Sequence, residues 1–362
     1  MKSKIVKICS LILLIPLFGF SNGNLKRQKE SKTIEKEFSV KPENLLYISN
    51  RFGNVDITTW NENRIVFKIT ITVEGNDADM VTDKLEEINV EFDQTSNQVS
   101  AKTHIGKNKS KSWFSWVFSS NQSINYKINY TVKMPISNDL TIYNDYGSIY
   151  LNEINGKTNI NCDYGKIVIG SLNNSDNEIT TDYSKNSTIE YMKSGTINAD
   201  YSSISVDASK NIILEADYSN SDFENIEKLE YNCDYGKLSV ENANNIIGSG
   251  DYLSVELGTI FKKLDINSDY GSLRIDKLMK GFQNATINTN YTGVRVGIDK
   301  NASCNIEVDI DYGGIKYDEG FIFTKKNTKT TSKHYKGYFN QPNTNANLKI
   351  EMDFGSLKLQ TK

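Results

Sequence analysis

The chain has 362 residues, enough for two globular domains or for one repeat array with a cap. Its formal net charge is −3, so it lacks the basic excess that nucleic-acid binding calls for, and no nucleic-acid partner is expected. Proline is scarce, at 4 residues, which together with many Asn, Ser, Thr, Ile and Tyr suits short strands joined by polar turns.

The N-terminus reads as an export signal. Lys2, Lys4 and Lys7 precede an apolar run over 8–20 that is too short for a spanning helix. Small residues after Phe20 offer cleavage sites, so 1–23 is assigned as a signal peptide. Cys9 falls too early to be a lipid-bearing cysteine. No later apolar stretch reaches membrane-spanning length, so the mature chain is expected without a transmembrane segment, in the periplasm, on the outer-membrane surface or outside the cell.

Residues 24–138 read as a strand-rich capping region with one helix. Residues 64–73, 88–92, 98–103 and 124–134 alternate as strands, and 77–87 carries acids in the first turn of a helix. Asn50-Arg51-Phe52-Gly53 with Val55 and Ile57 already resembles one unit of the array that follows. Between the last two strands lies a basic loop holding Trp113, Phe114, Trp116 and Phe118, a candidate interaction loop because basic residues beside aromatics suit an interface.

Residues 139–362 form the repeat. Its signature is Asp-Tyr-Gly, at Asp145-Tyr146-Gly147, Asp163-Tyr164-Gly165, Asp234-Tyr235-Gly236 and Asp269-Tyr270-Gly271, with Ser or Leu after Tyr183, Tyr201, Tyr218 and Tyr252. From Asp145 to Asp269 the copies recur every 17 to 19 residues; Asn290 and Asp311 follow at 21, and Asp353 at 42. Counting from Asp as position 0, positions −3, +4 and +6 are apolar in most copies, position −1 is mostly small and +5 is mostly polar; Gly248 is the exception at −3, and Asn186 and Ser221 replace the apolar +4 residue in the copies at 182 and 217. Two short strands therefore meet at each corner, and neither buries its inner face alone. Stacking them predicts an all-β, parallel β-solenoid (β-helix-like) of about eleven short coils, capped by the N-terminal α+β region and interrupted by an excursion at 318–349.

The corner is expected to be structural: Asp closing an Asx turn, Gly bending the chain, Tyr packing in a stack. Alternatives are a cation ladder of carboxylates or a tyrosine-lined groove for sugars, but the calcium-binding Gly-rich nonapeptide pattern is absent. Cys162 and Cys233 share position −1 four coils apart, roughly 19 Å at about 4.8 Å per coil, too far for a disulfide. No cluster with zinc-ligand spacing, phosphate loop or nucleophile elbow occurs, so no metal, cofactor or catalytic residue is assigned.

One resemblance covers nearly the whole mature chain. Leu45-Leu46-Tyr47-Ile48-Ser49-Asn50, then Phe52-Gly53-Asn54-Val55-Asp56-Ile57-Thr58-Thr59-Trp60, then Lys133-Met134-Pro135 and Leu140-Thr141-Ile142 leading into the repeats, resembles the exported bacterial envelope proteins grouped as “putative adhesins” of unknown function. That family implies a β-solenoid, no established catalytic residues, and adhesion or envelope sensing. The resulting expectation is a non-enzymatic cell-envelope scaffold whose partner is an envelope protein or glycan. The alternatives are a polysaccharide-binding or polysaccharide-cleaving β-helix and a periplasmic partner in envelope signalling.

Overall fold

A computed structural model describes residues 27–106 and 124–362. The export-signal assignment and the loop bearing Trp113, Phe114, Trp116 and Phe118 lie outside the described residues.

The fold begins with a long strand, β1 (Gln28–Ser39), and then lays down its first coil as β2 (Leu45–Arg51) and β3 (Val55–Trp60). Strand β4 (Arg64–Gly75) runs antiparallel to β1, and α1 (Ala78–Glu87) follows. Asp77 caps that helix, its side chain accepting from the Met80 amide at 3.0 Å; the acids anticipated in the first turn thus serve as cap and dipole partner. Val81 and Leu85 form its buried face. Strands β5 (Ile88–Gln94) and β6 (Gln98–Ile105) form a hairpin that extends one side of the first coil through β2, and β7 (Asn125–Pro135) extends the other through β3. Inside this end, Thr103 links the buried Tyr130 hydroxyl (2.8 Å) to the Asn50 side chain (2.9 Å), so the interior polar groups are joined in one chain.

The array proper stacks in parallel register. Strands β8 (Asp139–Asp145), β10 (Thr158–Asp163) and β12 (Asn177–Asp182) lead into corners, and β9 (Ile149–Ile154) and β11 (Ile167–Leu172) trail from them. From β13 (Ser187–Asp200) through β14 (Ser203–Asp217), β15 (Asn220–Asp234), β16 (Gly236–Asp251) and β17 (Leu253–Asp269), the trailing strand of one coil runs on into the leading strand of the next. Ile142, Ile160, Ile179 and Ile197 at −3 are buried in a ladder of like residues, whereas the buried +4 column of Ile149, Ile167, Ile204 and Leu238 is interrupted by Ser187 and Ser221. The coil of Asp182 departs from expectation: Asn186 turns outward at φ 59° and Ser187 takes the inward slot, its hydroxyl accepting from the Ile167 amide at 3.1 Å. One extra corner residue slips the register, which moves every following side chain to the other face unless absorbed there.

The C-terminal end is not laid down in chain order. β18 (Ser272–Leu278), β19 (Asn284–Asn290) and β20 (Gly293–Ile298) continue the stack, but β21 (Cys304–Asp311) and β22 (Gly314–Tyr317) do not pair with them. β23 (Phe321–Thr328) and β24 (Ser332–Phe339) form an antiparallel hairpin, with β24 along β21. The final strands, β25 (Asn347–Asp353) and β26 (Ser356–Thr361), then insert between β19/β20 and β21/β22. The chain places its penultimate coil one level too far and fills the gap with its last. The 318–349 excursion is therefore largely a hairpin lying along the terminal coil. Covering an end in this way removes an open row of parallel hydrogen-bonding groups.

Candidate interaction surface

The corner differs from its sequence reading in which residue bends. The aromatic, not the glycine, occupies the left-handed region: Phe52, Tyr146, Tyr164, Tyr183, Tyr201, Tyr218, Tyr235, Tyr252, Tyr270, Tyr291, Tyr312 and Phe354 all have φ between 50° and 59°. A non-glycine residue there costs about 1–2 kcal/mol. The geometry follows from the ladder: every aromatic amide but that of Tyr312 donates along the rod to the position 0 carbonyl of the next coil, as Tyr201 does to Asp217 (3.0 Å) and Tyr218 to Asp234 (2.9 Å), while Tyr312 at the end of the stack donates to Thr331. The following glycine is needed for a different reason. A Cβ at Gly147, Gly165, Gly236 or Gly271 would overlap the backbone carbonyl of the coil before. Where serine replaces it, the hydroxyl joins the ladder: Ser184 and Ser202 donate amides to Ser202 and Ser219 Oγ at 3.1 and 2.8 Å.

The aromatic side chains face solvent rather than the core, with the tyrosines 43–61% exposed. They stack as one column, Phe52 first, then Tyr146 through Tyr291 in order, then Phe354 and Tyr312, with centroids 4.7–5.1 Å apart and planes within 9°. Tyr126 closes the first end edge-on, 5.2 Å from Phe52. Eleven steps of about 4.8 Å make this tape roughly 53 Å long. Because each ring face is covered by the next, what solvent meets is a row of ring edges and hydroxyls; sugars cannot stack on the faces along its length. Burial and the neighbouring rings push the phenols of Tyr164, Tyr201 and Tyr235 above their ordinary pKa, so they stay protonated donors at neutral pH.

Beside the tape runs the position 0 column. No Asx turn forms at these corners among the described hydrogen bonds. Instead carboxylates bond between coils: Oδ1 of Asp200, Asp217 and Asp234 accepts from the backbone amides of Asp217, Asp234 and Asp251 at 3.2, 3.1 and 2.8 Å. Within the column, Asp145 alone meets a cation among the described residues, Arg51 at 2.7 Å, from the coil where arginine takes the Asp slot. Desolvation, then the flanking carboxylates, raises the pKa of Asp163, Asp182 and Asp251. The predicted repeat residues thus divide into an aromatic tape, an acidic column and a row of half-buried glycines packed close to the neighbouring coil.

Sequence reading missed one constellation. Glu307, Asp309 and His334 place candidate ligand atoms within 4.8 Å of one another, brought together by antiparallel pairing of β21 and β24. His334 hydrogen-bonds Asp309, and Lys336 pairs with Glu307 at 2.6 Å, so these groups already satisfy one another. Cys162, Cys233 and Cys304 are buried free thiols, each pushed up to about 12 chiefly by burial, and so are inert.

No family model matches the chain, and no curated protein matches it significantly. Several solved structures are similar to it. A “putative adhesin” from Bacteroides fragilis aligns at 10% identity over 91% of this chain and 97% of its own, with a TM-score of 0.27. A “putative lipid binding protein” from Parabacteroides distasonis aligns at 10% identity over 90% and 96%, with a TM-score of 0.28. A “putative cell adhesion protein” from Clostridium sporogenes aligns at 10% identity over 91% and 100%, with a TM-score of 0.17. Superposition this loose transfers neither residues nor activity to this chain.

Proposed function

We propose that this protein is a non-enzymatic, exported envelope rod that binds other surface components through its aromatic tape and the acidic column beside it. One observation supports this above others: eleven exposed aromatic rings, ten tyrosines and Phe354, are held outward in a backbone conformation that disfavours them. Glycine or asparagine would build the same corner without the left-handed penalty. Stacking returns about 0.5–1.5 kcal/mol per ring pair, which offsets the strain and leaves little net stability to explain the aromatics. A continuous edge of phenol donors beside carboxylates is instead the composition of a contact surface, where tyrosine combines apolar area with a polar tip. The occupant is an envelope protein or glycan that reads hydroxyls and charge at a spacing near 4.8 Å.

The test compares wild-type protein with a Tyr201→Asn/Tyr218→Asn/Tyr235→Asn variant for binding to isolated cell envelopes. Asparagine tolerates the left-handed corner, so the fold is retained. Binding should fall at least about tenfold, a loss of roughly 1.4 kcal/mol. Unchanged binding by the folded variant contradicts the tape as the contact surface, and release of soluble sugar products from an envelope polysaccharide contradicts the non-enzymatic reading.

A further inference from the structure

The outer face of the trailing strands changes sign along the rod. Pairing in the order β17, β18, β20, β26, β22 aligns Glu256, Arg274, Arg295, Lys358 and Lys316 in one column. The four cations are exposed and occupy successive coils. Arg274 lies 3.7 Å from Asp276, but Arg295, Lys358 and Lys316 meet no acid among the described residues. The column in front of them is small, Ser272, Gly293, Ser356 and Gly314, leaving a trough of about 540 Å³. A Cβ at Gly293 or Gly314 would meet almost nothing, so these glycines are not demanded by packing, unlike the corner glycines.

On the other side of Glu256 the same face is acidic. Asp207, Asp222, Glu224 and Glu241 are exposed and line an adjoining trough of about 470 Å³; Asp222 feels the charge of Lys237, and none of the four forms an ion pair among the described residues. Glu256 itself pairs with Lys237 at 2.8 Å. Like charges on adjacent strands are unfavourable, so four cations followed by a run of acids is an arrangement that isolated folding does not reward.

We infer that this face is a self-complementary docking surface for a second copy of the chain. The two-fold axis runs parallel to the strands, between the coils of Glu256 and Arg274. It reverses the rod and brings each coil against its mirror in sequence of coils. Arg274 then faces Glu256 of the other copy, Arg295 faces the coil of Glu241, Lys358 the coil of Asp222 and Glu224, and Lys316 the coil of Asp207. Both copies share the ladder spacing of about 4.8 Å, so all four levels meet in register. Eight coils by six strand residues is roughly 34 by 20 Å, or about 1,400 Å² over both copies, which falls within the standard range for a specific interface. Such a contact is isologous and closes as a dimer, and its reliance on exposed charges makes it salt-sensitive. It uses a different face from the tape and does not depend on the reading of that tape.

Sedimentation of the full chain tests this, with Arg295→Glu and Glu241→Lys as variants whose side chains are exposed and whose melts should match wild type. Wild type should dimerise, less so as salt rises, and each variant alone should be monomeric. An equimolar mixture of the two variants should dimerise again, because every opposed pair is then of opposite sign. A monomeric wild type at about 100 µM, variants that still dimerise, or a mixture that stays monomeric overturns the proposal. A monomeric wild type that binds alginate, with binding lost in Arg295→Glu and kept in Glu241→Lys, would assign the basic column to an acidic glycan instead.

Discussion

Replacing Tyr218 separates the two contributions that meet at every corner. Its ring lies 4.9 Å from Tyr201 and 4.7 Å from Tyr235, stacked nearly parallel to both, and its backbone has φ 53°. Tyr218→Ala removes two ring contacts of about 0.5–1.5 kcal/mol each while keeping a non-glycine residue in the left-handed region, so the loss should be about 1–3 kcal/mol. Tyr218→Gly removes the same contacts but relieves about 1–2 kcal/mol of backbone strain. Glycine should therefore be the more stable of the two by about 1–2 kcal/mol, the reverse of their usual order inside strands. Because long repeat arrays depart from two-state unfolding, the comparison is best read locally, from hydrogen exchange of the Tyr218 amide, which donates to the Asp234 carbonyl at 2.9 Å, alongside urea midpoints. An alanine variant equal to or more stable than the glycine variant would refute the left-handed corner.

Asp182→Asn should stabilise the protein at neutral pH by about 0.2–1 kcal/mol, kept small by partial exposure. The Asp182 pKa is raised by desolvation and then by Asp200, so the folded protein holds this proton more tightly than the unfolded chain. The column's penalty is accordingly absent below the ordinary carboxylate pKa and grows as pH rises through the raised value, and melts of the two proteins should converge on acidification. Ile204→Asp places a carboxylate in a slot that is 2% exposed and should lower the thermal midpoint sharply; an unchanged melt would contradict the register. A chain ending at Asn340 lacks the inserted final coil, so amides of β19 to β22 should lose protection in hydrogen exchange while those of β8 to β16 keep theirs. Because β21 keeps β24 as a partner, the decisive strand is β22, which pairs with β26; retained protection there would contradict the inserted order.

The periodic apolar positions made the solenoid legible, since Ile142, Ile160, Ile167 and their equivalents need only a period-two pattern and a stacking repeat to be placed inward. Other features depend on information that spacing does not carry. Glycine after tyrosine drew the bend to itself, because glycine is the usual left-handed residue; its actual role is clearance of a carbonyl in the neighbouring coil, which only three-dimensional stacking shows. Asn186 seemed to occupy an inward slot until one extra corner residue moved Ser187 there. The basic column was hidden for a similar reason: Lys358 lies 42 residues beyond Lys316 in the chain yet sits between Lys316 and Arg295 in the stack.

Tyrosine footprinting with a nitrating reagent, read by mass spectrometry on free protein and on protein bound to isolated envelopes, tests the contact tape most directly. The tape tyrosines from Tyr146 to Tyr312 should react when free and become protected when bound, while buried Tyr130 and Tyr231 stay unreactive in both. Tape tyrosines that react equally in the bound state, or a Tyr231 as reactive as Tyr218, would contradict an outward aromatic column that makes the contact.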